Sequence, residues 1–149
     1  MKRAMIFGGA VVAVAILLAV GPGLLDDAVN GEHKPPCDLL AGPCTWSTED
    51  GIWQVTLTPG GDSDQGQLYQ LDVVVPQAPD RFLAVLRGEN MYMGEYPVPL
   101  VREEPLEYRA TFTAPFCTTG NQMVWRIDLQ DGQSLIKSVP SVLVFQADK

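Results

Sequence analysis

The sequence holds one histidine and three cysteines in 149 residues, too few for the multi-histidine or paired CxxC ligand sets that bind zinc. Basic residues are also scarce. Ten Lys and Arg against eighteen Asp and Glu give a formal net charge of −8, so no cationic surface exists to neutralise a phosphate backbone, and nucleic acid is excluded as a partner. At roughly 100 to 200 residues per domain, the length excludes a multidomain enzyme. Catalytic signatures are missing as well: there is no GxSxG, no HExxH, no phosphate-binding loop and no second histidine to work with His33. His33 itself reads as a solvated linker residue. Glu103 and Glu104 are adjacent, and neighbours in an extended chain point to opposite faces, so they do not form a proton-sharing pair. The expectation is a protein that is not an enzyme.

What is present is unevenly distributed. Residues 4–25 carry no charge, with Lys2 and Arg3 before them and Asp26 and Asp27 after them. This reads as an N-terminal membrane anchor over residues 1–27, because a spanning helix takes about 17 to 25 apolar residues. Gly21-Pro22-Gly23 ends the helix near Val20. The competing reading is a cleaved signal peptide with small residues at Ala19 and Gly21, but Pro22 would directly follow the cut, so the retained anchor is preferred. The basic end then stays in the cytoplasm and the rest faces the periplasm from the inner membrane. Residues 28–36 end in two prolines and read as a stiff linker. Residues 37–149 form the exported domain.

Export changes how the cysteines read, since two of three are expected to pair in an oxidising compartment. One arrangement joins Cys37 to Cys44 across Gly42-Pro43 and leaves Cys117 free. The other joins Cys44 to Cys117 and leaves Cys37 free. Spacing does not choose between them.

The exported part is a succession of short alternating runs bounded by turn residues. Trp53, Val55 and Leu57 share one face, as do Tyr69, Leu71, Val73 and Val75, and so do Met123, Trp125, Ile127 and Leu129. Glu49-Asp50-Gly51 and Asp131-Gly132 signal hairpins, and the Pro59-Gly60-Gly61-Asp62 cluster signals a break. Pro97 and Pro99 confine residues 96–101 to a sheet edge or an irregular crossing. No helical period is present in this part. The pattern predicts an all-β, immunoglobulin-like antiparallel sandwich of seven to eight strands, with a closed eight-stranded barrel as the alternative. Trp53, Phe82, Phe112, Trp125 and Phe145 are its expected large core residues.

One segment has chemical potential. In Gly88-Glu-Asn-Met91-Tyr-Met93-Gly94 the two thioethers project to the same side of an extended chain. Cys117 and Met123 follow in Pro115-Phe-Cys117-Thr-Thr-Gly-Asn-Gln-Met123-Val-Trp125. Thioethers and thiolates are soft donors that select Cu(I) over hard cations. Met91, Met93, Met123 and Cys117 are therefore the candidate ligands, with Trp125 as an aromatic cap. Methionine also fills irregular β cores with no metal involved, and the sequence permits that reading too.

The clusters Cys37-Asp-Leu, Gly42-Pro43-Cys44, Met91-x-Met93-Gly94, Pro115-x-Cys117 and Met123-x-Trp125 resemble those of small membrane-anchored proteobacterial envelope proteins. The layout is similar to that of FixH and YtkA-like domains, with one anchor helix and one exported immunoglobulin-like domain. The resemblance implies copper handling or assembly of respiratory oxidases rather than catalysis. The paired methionines and three cysteines depart from the FixH pattern. Two functions follow as expectations: a protein that binds or passes Cu(I), or a metal-free accessory subunit that docks on a larger membrane complex through the Pro97 to Leu100 edge. A thiol-disulfide enzyme built on Cys37 and Cys44 is disfavoured because the CxxC and its helix are missing.

Overall fold

The computed structural model of the protein describes residues 34–63, 66–114 and 123–147. The anchor expected over residues 1–27 lies outside the described residues, as do His33 and Cys117; no helix among the described residues is long and apolar enough to cross a membrane. The alternating runs form strands β1 (Pro36–Asp38), β2 (Cys44–Thr48), β3 (Gly51–Ser63), β4 (Gly66–Val74), β5 (Phe82–Gly88) and β6 (Glu95–Pro99). The chain continues through β7 (Val101–Glu104), β8 (Glu107–Thr113), β9 (Met123–Asp131), β10 (Ser134–Leu135) and β11 (Val142–Ala147).

The described residues thus hold eleven strands where seven or eight were expected. The surplus comes from pieces too short to alternate visibly: β1 has three residues and β10 two. The expected run over residues 96–101 also divides into β6 and the start of β7. Leu100 is buried between them and its N–H donates to the Phe82 carbonyl, which pins the point where the chain changes sheets.

One sheet has the order β1-β11-β9-β5-β6, with β10 pairing on β9, and the other has the order β2-β3-β4-β8-β7. Both have free edges, so the closed barrel is not formed. Every pairing is antiparallel except that of β1 with β11, where Pro36, Cys37 and Asp38 lie parallel to Val142, Leu143 and Val144. Pro36, expected as the last linker residue, therefore opens a strand. Lys34 is tied in as well, its Nζ donating to the Val139 carbonyl at 2.8 Å.

The two sheets share one core. Alternation places Val55, Leu57, Tyr69, Leu71 and Val73 inward from one sheet, and Ala84, Leu86, Trp125, Ile127, Leu129 and Phe145 inward from the other. Aromatic rings join across the interface: Phe82 meets Tyr108 edge-on at 5.0 Å, and Tyr69 meets Phe145 at 5.0 Å. Such pairs add about 0.5 to 1.5 kcal/mol each beyond burial. All five expected core aromatics are buried, and Tyr69 and Tyr108 join them.

A disulfide joins Cys37 to Cys44, which settles the alternative left open by spacing. Because Cys37 is on β1 and Cys44 on β2, the bridge staples the first strand of one sheet to the edge strand of the other. Cys117 is left with no cysteine in the chain to pair with.

The outward face of the first sheet carries a charge ladder. Arg87 and Arg126 are opposite each other in the β5–β9 register, an arrangement that repels unless it is bridged. Asp128 bridges it, with carboxylate oxygens 3.1 Å from Arg87 Nε and 3.2 Å from Arg126 Nε. Both contacts have ion-pair distance but not hydrogen-bond alignment. Glu95 and Glu89 hold the far ends of the two guanidiniums. On the other sheet, Arg109 Nε donates to Asp72, and that bond raises the guanidinium pKa above its usual value.

Candidate metal centre

Gly88, the last residue of β5, organises the methionine end of the molecule. It is paired with Trp125 of β9, and a Cβ at this position would overlap the Met91 carbonyl oxygen and the Met123 methyl group. A glycine in a strand marks a close approach, and here the approaching groups belong to two of the candidate ligands. The chain leaving β5 folds back over Gly88 while the Glu89 N–H continues the ladder to the Val124 carbonyl.

The three thioethers occupy different depths. Met91 is 49% exposed and Met123 is 2% exposed. Met93 is half-buried and packs on the core. Antiparallel pairing of β5 with β9 sets the last residue of β5 beside the start of β9, where Gly88 pairs with Trp125. The segment joining β8 to β9, which contains Cys117, lies outside the described residues, and its boundary residue Met123 belongs to this end.

Trp125, the expected aromatic cap, is wholly buried. Its side chain is 0% exposed and sits in the core beside Gly88, where alternation on β9 directs it. Its ring meets Tyr96 edge-on at 5.5 Å, and Tyr96 is 39% exposed. Tyr96 thus lies between the buried Trp125 ring and the surface. Tyr92 stands between the two methionines in sequence and is 87% exposed. Gly88, Tyr92 and Tyr96 were not among the residues expected at this end; the available signal for Gly88 was a glycine closing the strand run Phe82–Gly88.

Among the described residues no group of three or more His, Cys, Asp or Glu side chains is placed to hold a metal ion. The described soft donors at this end are the thioethers of Met91, Met93 and Met123, a donor type that suits a soft monovalent ion.

The Gly88 contacts make a prediction. Gly88→Ala should destabilise the fold by about 1 to 3 kcal/mol, since a backbone carbonyl has to move to admit the methyl group. Urea unfolding measures it; an unchanged midpoint would show that the Met91 turn is not held against Gly88.

No protein-family model matches this chain, and no curated protein matches it.

Proposed function

We propose that the protein is a single-pass inner-membrane protein whose periplasmic immunoglobulin-like domain binds or passes Cu(I). Met91, Met93 and Met123 serve as thioether ligands, Cys117 as thiolate and Trp125 as the aromatic cap. The observation that carries this reading is the convergence of the Met91 turn and the Met123 side chain on Gly88. The graded burial of the three methionines suits an ion taken up at the surface and sheltered from water further in. The immunoglobulin-like reading is supported by strand order. β3-β4-β8-β7 corresponds to A-B-E-D and β11-β9-β5 to G-F-C.

Titration of the full-length chain with Cu(I) against a competing chelator tests the proposal. The expected result is one ion per chain, with affinity falling at least about a hundredfold in the Met91→Leu, Met93→Leu double variant, which removes two soft donors at nearly constant volume. Negligible affinity, or affinity that survives the double substitution, would overturn it.

A second reading is a metal-free accessory subunit, for example in respiratory oxidase assembly. It is favoured by the exposed side chains Met91, Tyr92 and Tyr96 beside edge strand β6. Leu100, expected in that docking edge, is buried and takes no part. A stable companion recovered after gentle detergent extraction, lost in a Tyr92→Ser variant, would favour this reading.

A further inference from the structure

A cavity of about 480 Å³ opens elsewhere, beside β9 and away from the methionines. Its origin is a split in the sheet. On one side β9 is paired by β10 as far as Leu135, with Ile136 N–H reaching the Leu129 carbonyl, and by β11 only over residues 123–127. The chain between Ile136 and Val142 arches away and leaves a hollow at Asp128.

The lining is unusual for so acidic a chain. Lys34, Arg87 and Arg126 line the cavity, and Asp128 is the one carboxylate among the lining residues. Asp128 is already shared between the two guanidiniums. Glu89 and Glu95 hold the outer ends of the arginines and do not line the cavity. Lys34 spends one donor on the Val139 carbonyl, and an ammonium carries three. The rest of the wall sets the polar side chains Gln130, Gln133 and Ser141 beside the apolar Leu135, Ile136, Val139 and Val142. A concave site with an aliphatic wall and a few convergent donors is the ordinary form of a small-molecule pocket, and the volume lies within the usual ~300 to 1,000 Å³.

We propose that this cavity binds a small carboxylate with a short aliphatic body. The carboxylate meets Lys34 and those N–H groups of Arg87 and Arg126 that Asp128, Glu89 and Glu95 leave open, since each guanidinium carries five, and the aliphatic part lies against Leu135 and Val139. The site is independent of copper.

The test is a chemical-shift titration of the full-length chain with acetate, hexanoate, hexanol and sulfate at constant ionic strength, read at the methyl groups of Leu135 and Val139. Hexanoate should saturate and bind at least about tenfold tighter than acetate, because its extra methylenes are buried. Arg126→Gln should weaken hexanoate at least about tenfold. Leu135 is 51% exposed, so Leu135→Glu keeps the fold while placing a like charge at the ligand, and it should abolish binding; this variant decides the matter if Arg126→Gln unfolds the protein. Absence of a saturable shift would overturn the proposal, as would sulfate or hexanol binding as tightly as hexanoate.

Discussion

Replacing Trp125 by alanine is expected to cost about 3 to 5 kcal/mol of folding stability, the usual range for emptying a large aromatic site in a core. The side chain is wholly buried, its neighbour across the ladder is Gly88, and Tyr96 rests against its ring. On the β5 side the glycine supplies no side chain to collapse into the vacated space, and on the β11 side Phe145 is itself buried in the core, so relaxation is limited and the upper half of the range is expected. Equilibrium urea unfolding gives the value, and the conservative Trp125→Phe should recover most of it. A loss below about 1 kcal/mol would mean that the core closes over the gap, and the ring would then be kept for the methionine end rather than for packing.

The Cys37→Ala, Cys44→Ala double variant is expected to lose about 2 to 3 kcal/mol. A bridge spanning seven positions closes a short loop, and its effect on the unfolded chain grows only slowly with loop length. What it joins is the first strand of each sheet, and β1 has only three residues paired to β11. Loss of the bridge should therefore fray β1 first. Hydrogen exchange at the Leu39 and Val142 N–H groups, which bond to the Val144 and Pro35 carbonyls, should accelerate before the rest of the sheet. Equal urea midpoints with and without reductant would show that strand pairing alone secures this corner.

The strands that could be read from sequence are those long enough to alternate. β4 shows its face through Tyr69, Leu71 and Val73, and β9 through Trp125, Ile127 and Leu129, because each buries every second residue. β1 could not be read this way: it is three residues long, begins with proline, and finds its partner at the far end of the described chain. The Pro59-Gly60-Gly61 break was expected and did not end the strand. β2 pairs with β3 only up to Val55, so Pro59 lies where one side of β3 has no ladder to interrupt, and a register shift between Pro59 and Asp62 absorbs the irregularity. At the candidate metal centre the donor types were legible, whereas the meeting of Met91 and Met123 at Gly88 was not, because it depends on the pairing of β5 with β9. Depth was not legible. Alternation put Met123 and Trp125 on one face, but that both are buried while Met91 is half exposed follows only from the three-dimensional packing.

The parallel pairing of β1 with β11 has a consequence for how the molecule is made. A chain emerges N-terminus first, so β1 is complete long before its partner exists, and local contacts form faster than distant ones. The turn between Cys37 and Cys44 needs only a few residues to close, whereas the first sheet gains its β1 edge only when residues 142–144 arrive. Once oxidised, the bridge holds β1 next to β2 as a fixed docking place for the last strand. The domain is in effect sewn at its beginning and zipped at its end, and a thiol oxidant supplied late in synthesis should delay completion of the first sheet while leaving the β3–β4 hairpin untouched.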